Sequence, residues 1–181
     1  MVGAYAFRSC QRDPMPVSLR AVPGQLDKNM RTAISADSVR TEDFAAWRTL
    51  YQGYADFYGT RLTEAVAVRV WSWLHDPAHP LQGLLARGGD GEALGLAHVR
   101  PCPRPLAGTE IGFLDDLYVA PGARGSGAAD ALFEALAVRA SECGWPAIRW
   151  LTQEFNYRGR AFYDRYTGAK TDFILYQWRL D

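Results

Sequence analysis

A glycine-rich segment in the second half of the chain, residues 117–129, has the composition of a site for phosphate chemistry. It reads LYVAPGARGSGAA, a pattern that predicts a strand, a tight turn and the start of a helix. The first turn of a helix has backbone N–H groups without intrahelical acceptors, and the helix dipole adds partial positive charge there. Gly125 and Gly127 would let the backbone approach a ligand closely, and Arg124 would add a charge-assisted hydrogen bond. The segment therefore predicts a phosphate or pyrophosphate site.

Other interpretations of this segment differ in the residues they require. A nucleoside triphosphate loop ends in Gly-Lys-Ser/Thr, and residues 117–129 contain no lysine. A dinucleotide fingerprint needs Gly or Ala three residues after Gly127, where Asp130 stands, and no parallel βαβ run precedes it. An ordinary strand–helix turn stays open, because a glycine-rich turn alone does not identify a ligand.

Carboxylates lie close to this segment in the sequence, and two of them are adjacent. Asp115 and Asp116 interrupt an otherwise apolar strand, where they would point to opposite faces if the strand were regular. A charge there is costly unless it is paired or wetted, so an edge or bulged position at a cleft is one interpretation. A catalytic role is compatible with it, because an ammonium substrate must lose a proton before it attacks. We predict Asp115 as the catalytic base, with Asp116 and Glu154 binding substrate.

Two blocks of the sequence resemble the GCN5-related N-acetyltransferases. Residues 124–129, RGSGAA, match the family's R/Q-x-x-G-x-G/A loop, whose amides hold the pyrophosphate of acetyl-CoA. Residues 156–169, NYRGRAFYDRYTGA, resemble the family block N-x-x-A-x-x-F-Y-x-x-x-G-F, although the Ala is one position late and Ala169 replaces the final Phe. The resemblance covers residues 32–181 and implies the α/β fold of that family.

The resemblance also implies roles for individual residues. Backbone groups of the fourth strand would bind the pantetheine and the thioester carbonyl, and the loop would bind the pyrophosphate. The cofactor-binding residues implied in this way are Leu117, Tyr118, Val119, Arg124, Gly125, Ser126, Gly127, Ala128, Ala129 and Asn156. Tyr163 falls on the tyrosine that protonates the departing CoA thiolate, which agrees with a phenol pKa near ~10 against ~8.5 for a thiol. An ordinary core aromatic is the alternative for Tyr163.

Three short segments are similar to one subgroup, the polyamine acetyltransferases of the spermidine/spermine type and the fungal Hpa-type acetyltransferases. They are FLDDLYV at 113–119, WLTQEFN at 150–156 and the aromatic helix at 47–58. Because the first helices border the acceptor cleft in this fold, Tyr54 is predicted to contact the substrate. His98 forms no motif and is expected to be a satisfied structural residue.

The hydrophobic pattern predicts the elements that must position these residues. We expect the order βααβββαβαβ and a mixed sheet with helices on both faces. The resemblance to the GCN5-related N-acetyltransferases (GNAT) implies an α/β domain of that type with a mostly antiparallel central sheet of six to seven strands. Residues 1–31 are predicted to form an irregular extension, and residues 32–181 the acetyltransferase domain. The expected strands span 32–37, 81–87, 93–100, 110–119, 147–151 and 171–180, and the helices 41–58, 62–74, 126–143 and 156–166.

Composition limits the partners and the cellular site. Lys+Arg and Asp+Glu are both 20, and this balance disfavours nucleic acid and anionic membranes as partners. Three widely spaced cysteines without a C-x-x-C predict neither a metal site nor a disulfide framework. Without a signal peptide or membrane segment, we expect a cytoplasmic protein. The apolar terminal strand, together with the resemblance, predicts a homodimer.

The function expected from these observations is transfer of an acetyl group from acetyl-CoA to a small primary amine, a polyamine or an amino-acid-like compound. Two alternatives stay open. One is acetylation of a protein or peptide, at lysine or at the N-terminus. The other is a non-catalytic regulatory module that binds an acyl-CoA, because fold alone does not establish activity.

Overall fold

The computed structural model describes residues 34–180, so the predicted extension at 1–31 lies outside the described residues. The chain forms two compact units, and the boundary between them lies between Trp150 and Leu151. The first unit contains β1 (Ser35–Ser38), α1 (Phe44–Phe57), α2 (Glu64–His75), β2 (Gln82–Arg87), β3 (Ala93–Arg104), β4 (Thr109–Val119), α3 (Ala128–Cys143) and β5 (Ile148–Trp150). The second unit contains α4 (Tyr157–Thr167).

The sheet has five strands in the order β1-β2-β3-β4-β5. The first four are antiparallel neighbours, whereas β5 runs parallel to β4. The α/β fold of the GNAT type with a mostly antiparallel sheet is thus confirmed, and the predicted six to seven strands exceed the five found within residues 34–180. No helix in that range is both long and apolar enough to span a membrane.

Alternate residues of the strands fill two separate cores. Leu84 and Ala97 pack on one face with Leu132 and Leu136 of α3. Their neighbours Leu85 and Leu96 pack on the opposite face, with α1 and α2. The period of two along β2 and β3 therefore places helices on both sides of the sheet, as predicted.

Local signals set the ends of several elements. The Thr63 hydroxyl accepts a hydrogen bond from the Val66 N–H at 3.3 Å and caps α2. Gly91 has a φ of 85° in the turn between β2 and β3, a conformation that favours glycine. Gly144, at φ 68°, ends α3 in the same left-handed conformation. These boundaries could be predicted because the residues that make them are adjacent in sequence.

The proline-rich segment after Arg100 was wrongly predicted to end β3. The strand continues through Pro101 and Pro103 to Arg104, which pairs with Thr109 of β4. The pairing of β2 with β3 ends at Val99, so β3 has an open side from that point. Proline is tolerated where its missing N–H would face such an open edge.

The predicted strand at 171–180 is also wrong, since this segment has no regular secondary structure. Its large apolar side chains are between 73% and 87% exposed: Phe173, Ile174, Leu175, Tyr176, Trp178 and Leu180. A run of apolar residues has the composition of a strand, but a strand forms only where a neighbour supplies backbone hydrogen bonds. Within residues 34–180 the segment belongs to no ladder.

Gly95 is expected to be necessary for the close packing of β3 and β4. A Cβ at this position would lie 2.6 Å from the Tyr118 carbonyl oxygen and 3.4 Å from a methyl group of Leu132. Because a backbone oxygen inside a ladder cannot move aside, we expect Gly95→Ala to lower the free energy of unfolding by about 1–3 kcal/mol, measured by chemical denaturation.

The matched control is Gly122→Ala, because a Cβ at Gly122 would meet no atom within 4 Å. We expect this variant to keep the stability of the parent. Equal stability of both variants would show that the sheet opens at Gly95 without cost.

Candidate functional site

A β-bulge in β4 brings the two adjacent acids to one face of the sheet. His98 pairs with Asp116 and Val99 with Leu114, so Asp115 is an extra residue without a partner on β3. Asp116 is hydrogen-bonded to His98, and Asp115 to Arg100, two residues further along the same face of β3. A regular strand would have sent the two carboxylates to opposite faces, but the bulge puts both on the side of α1.

Asp116 belongs to a buried hydrogen-bonded chain that crosses three elements. The indole N–H of Trp47, on α1, donates to His98 Nε2 at 2.9 Å. His98 Nδ1 lies 2.7 Å from Asp116 Oδ2. An indole nitrogen only donates, so Nε2 is the acceptor and the imidazole proton must reside on Nδ1. His98 is therefore a neutral imidazole that donates to the carboxylate.

Tyrosines of α1 lie beside Asp116. Burial, and then the Asp116 carboxylate, raise the pKa of Tyr54 well above its ordinary value of 10.0, and the same two causes with Asp115 raise the pKa of Tyr51 to about 12. Both hydroxyls therefore stay protonated beside the Asp116 carboxylate. The Tyr54 ring meets Tyr58 edge-on, with 5.0 Å between the ring centroids. Together these side chains form an aromatic wall next to one carboxylate.

Asp115 has a charged partner. Arg100 Nε and Nη2 donate to its two oxygens at 2.9 and 3.3 Å, and the guanidinium carbon lies 5.0 Å from the centre of the Phe113 ring. Burial raises the pKa of Asp115, and Asp116 adds to this increase, while the Arg100 guanidinium acts in the opposite direction. The two acids therefore differ: Asp115 is paired with the Arg100 guanidinium, whereas Asp116 accepts from the neutral imidazole of His98.

Gly53 lets α1 approach β4 at this point. A Cβ on Gly53 would lie 2.8 Å from Cζ of Tyr118 and closer still to the hydroxyl oxygen. Tyr118 pairs with Leu96 and packs against the core beneath α1 and α2. A residue without a side chain on α1 therefore makes room for a large ring on β4, two positions beyond Asp116.

The glycine-rich loop follows β4 directly. Its residues Pro121–Ala123 form a 3₁₀ turn, and Gly125 and Gly127 have φ values of 86° and 106°. The helix begins at Ala128 rather than at 126 as predicted, because the left-handed Gly127 is its N-cap. The Ser126 hydroxyl accepts from the Ala128 N–H at 3.3 Å, and Arg124 Nε donates to the Val119 carbonyl at 3.3 Å.

The other residues in this region that were predicted to bind the cofactor pair in the sheet through their backbone or pack in the core through their side chains. Leu117 and Val119 pair with Ala97 and Gly95, and their side chains pack against the core beneath α3. Ala128 is 1% exposed and belongs to the same core, whereas Ala129 is partly buried. A Cβ at Gly125 would meet no atom within 4 Å, so one side of the loop is open to an approaching ligand.

Three predicted site residues, Glu154, Asn156 and Tyr163, lie in the second unit. Asn156 caps α4: its side-chain oxygen accepts from the Gly159 N–H at 3.1 Å, and its amide donates to Thr152 Oγ1 at 3.0 Å. The Glu154 carbonyl accepts from Arg160 at 2.9 Å. Tyr163 lies on α4, where its carbonyl accepts from the Thr167 hydroxyl at 3.2 Å.

Sequence reasoning missed two features of the acid site. It expected His98 to be a satisfied structural residue, which the hydrogen bonds of both ring nitrogens confirm, but it did not connect His98 with Asp116 or Arg100 with Asp115. The alternation of His98, Val99 and Arg100 on β3 was the available signal. Within residues 34–180, no group of three or more His, Cys, Asp or Glu side chains is arranged to hold a metal ion.

Comparison with known proteins yields consistent similarities. The model of the acetyltransferase (GNAT) family matches residues 46–169, which include most of α1, the acid site, the loop and α4. The D-amino-acid N-acetyltransferase HPA3 of Saccharomyces cerevisiae is 32% identical over 152 residues, covering 83% of this chain and 94% of the yeast protein.

Solved structures show the same architecture. A ribosomal-protein-alanine N-acetyltransferase from Brucella melitensis biovar Abortus 2308 is 26% identical, with a TM-score of 0.67 over 82% of this chain and 99% of that one. The structure of AAC(6')-Iy in complex with the bisubstrate analogue CoA-S-monomethyl-acetylneamine is 17% identical and has the same TM-score over 82% and 99% of the two chains; it shows the fold alone. From its family match, its yeast relative and its fold, the chain belongs to the GNAT family of acetyltransferases.

Proposed function

We propose that this protein transfers the acetyl group of acetyl-CoA to the primary amine of a small molecule, a polyamine or an amino-acid-like compound. The observation that carries the proposal is the bulge in β4, which puts Asp115 and Asp116 on one face of the strand. The same strand then runs through Leu117–Val119 into the glycine-rich loop. One continuous segment thus carries both an anionic site for an amine and a site suited to a phosphate ligand.

On the donor side, the loop has the properties that a pyrophosphate group requires. Left-handed glycines at 125 and 127 lead into the positive end of the α3 dipole, and the first-turn amides have no intrahelical acceptors. Arg124 is exposed and supplies a positive charge beside the loop. By the family resemblance, backbone groups of Leu117, Tyr118 and Val119 hold the pantetheine and the thioester carbonyl.

On the acceptor side, the two acids have separate tasks. Asp116, which lies beside the protonated tyrosines of α1, binds the ammonium group of the acceptor. Asp115 takes the proton that the amine must lose, a task suited to a carboxylate with a raised pKa. The family resemblance adds Glu154 to the substrate-binding residues and Asn156 to the cofactor-binding residues.

The reaction that follows is a direct transfer. Asp115 takes one proton from the ammonium group, the free amine nitrogen forms a bond to the acetyl carbon, and the bond from that carbon to sulfur breaks. The second proton that the nitrogen must lose passes to solvent. The family resemblance assigns to Tyr163 the proton that neutralises the departing thiolate. An assay of thiol release with acetyl-CoA tests the proposal against polyamines, D- and L-amino acids, aminoglycosides and peptides. Release with no amine in this panel would exclude it.

The loop is expected to bind acetyl-CoA, which should raise the melting temperature because it binds only the folded protein. Gly125→Glu places a side chain and a negative charge in the open space beside the loop, so we expect this rise to disappear. The melting temperature is measured with and without acetyl-CoA by differential scanning fluorimetry.

Gly91→Glu is the matched control. Gly91 has a φ of 85° against 86° for Gly125, and a Cβ would meet no atom within 4 Å at either position. The two variants therefore have similar backbone strain, but only one has the charge in the loop. An undiminished rise in Gly125→Glu would contradict the assignment of the loop.

Tyr163→Phe is expected to bind acetyl-CoA normally and to turn over slowly. The substitution removes one hydroxyl and keeps the ring, so the fall should lie in the general-acid range of ~10²–10⁴-fold. It should affect kcat more than KM, because the proton is needed only as the thiolate leaves. Steady-state kinetics with a good acceptor measure both constants.

Asp115→Asn provides the contrast, because it removes the base instead of the acid. Its loss of kcat/KM for the amine should shrink as pH rises, since a greater fraction of the amine is then already deprotonated. The loss in Tyr163→Phe should not recover in this way. Parental activity of Tyr163→Phe would make Tyr163 an ordinary core aromatic.

We also propose that a second copy of the chain covers the segment 173–180, whose large apolar side chains are between 73% and 87% exposed. Exposed apolar patches of this kind mark association surfaces. Multi-angle light scattering should therefore give the mass of a dimer, and Trp178→Glu should lower it. A monomeric parent at working concentrations would refute this.

A further inference from the structure

His98 is a buried titratable residue to which the proposed chemistry gives no task. Its side chain is 1% exposed, and both of its ring nitrogens are hydrogen-bonded, one to Trp47 on α1 and the other to Asp116 on β4. Burying an imidazole is costly unless both nitrogens find partners. A hydrophobic residue would fill the same core position without that requirement. Of the two adjacent acids, His98 contacts Asp116, the acid that is not paired with Arg100, and this position suggests a role at the acid site.

The protonation state of His98 determines whether a neighbouring positive charge compensates the negative charge of Asp116. Because Trp47 donates to Nε2, a proton on that nitrogen would place two N–H groups opposite each other with no acceptor between them. The groups that face Asp116 are the neutral His98 imidazole of β3 and the protonated Tyr51 and Tyr54 of α1, while the Arg100 guanidinium is engaged by Asp115. The pair of Asp115 and Arg100 sums to zero charge. One uncompensated negative charge is left on Asp116.

We propose that His98 is a positioning residue that holds the Asp116 carboxylate in place as an uncompensated anion for the ammonium group of the acceptor. This rests on the proposed function and assigns the substrate class more narrowly: an amine that arrives as a cation. Oδ2 of Asp116 is fixed by the imidazole, and the Asp116 side chain is 19% exposed, so the carboxylate remains accessible from the surface. His98 itself does not touch the substrate.

The role differs from a purely structural one in the constant that it affects. Misplacing Asp116 weakens the binding of the ammonium group, so KM for the amine rises, whereas KM for acetyl-CoA is unchanged. Losing only core stability would instead lower the melting temperature and leave both KM values as they were. The titratable groups around His98 and Asp116 are Tyr51 and Tyr54 on α1 and Asp115 and Arg100 on the strands. None of these four residues is substituted in the variants that test the proposal.

Two amide substitutions separate the contacts of His98. In His98→Asn the amide lies near the Nδ1 position and can still donate to Asp116. In His98→Gln it lies near the Nε2 position and reaches Trp47 instead. Each leaves one buried partner without its bond, so the losses of stability should be similar.

We expect His98→Gln to raise KM for the amine by about 10- to 100-fold, the range for losing a hydrogen bond to a charged group. His98→Asn should stay close to the parent, and neither variant should change KM for acetyl-CoA. Asp116→Asn should match or exceed the effect of His98→Gln. Equal amine KM values in the parent and in both His98 variants would overturn the proposal.

The imidazole is also observable directly in the full-length protein, which has three histidines. A ¹H–¹⁵N spectrum of the histidine rings should show one residue protonated at Nδ1 and unprotonated at Nε2, and this signal should be missing from His98→Gln. A proton on Nε2 would overturn the proposal even if neither variant folds.

The outcomes also separate this inference from the proposed function. If the parent releases thiol with amines and Asp116→Asn raises KM but His98→Gln does not, the function stands and the role of His98 is wrong. If the parent releases thiol with no amine, the proposed function fails, while the histidine spectrum still reports on the hydrogen-bonded chain.

Discussion

The need to satisfy both nitrogens of one buried imidazole fixes the relation of α1, β3 and β4. His98 lies inside the core, where an unpaired polar atom costs about 1–3 kcal/mol, so it requires a donor on one side and an acceptor on the other. Trp47 and Asp116 meet this requirement from different elements. The helix cannot slide along the sheet without losing one bond, and the bulge cannot shift register without losing the second.

The bulge is the second constraint, and it brings two adjacent acids to one face of the sheet. Two adjacent acids on a regular strand would put one charge into the core beneath α3. One extra residue in β4 avoids that cost and brings both carboxylates to the α1 side, where Arg100 and His98 receive them. Bulges commonly re-aim side chains next to active sites. The different partners then give two neighbouring carboxylates different electrostatic properties.

What could be predicted from the sequence was mostly local. The β2–β3 hairpin, the loop at 121–127 and the boundaries of α2 and α3 depend on residues close in sequence, and the sequence predicted them closely. The register between β3 and β4 depends on residues far apart, so the sequence could offer a bulge at the two acids only as one interpretation, and the pairing of His98 with Asp116 could not be derived. The strand at 171–180 failed for a related reason: apolar composition describes a strand, but pairing is decided by the rest of the molecule.

The left-handed glycines of the loop have a consequence for how this molecule tolerates change. A loop that presents backbone amides depends little on the identity of the surrounding side chains, provided that Gly125 and Gly127 keep their conformations. The face beneath α1 is different, because the hydrogen bonds to the carboxylates of Asp115 and Asp116 come from side chains. Mutations can therefore change the side-chain contacts of Asp115 and Asp116 in β4 while the loop that follows the strand keeps its backbone conformation. Laboratory evolution toward new acceptors would accordingly sample α1 and β3 and leave the loop untouched.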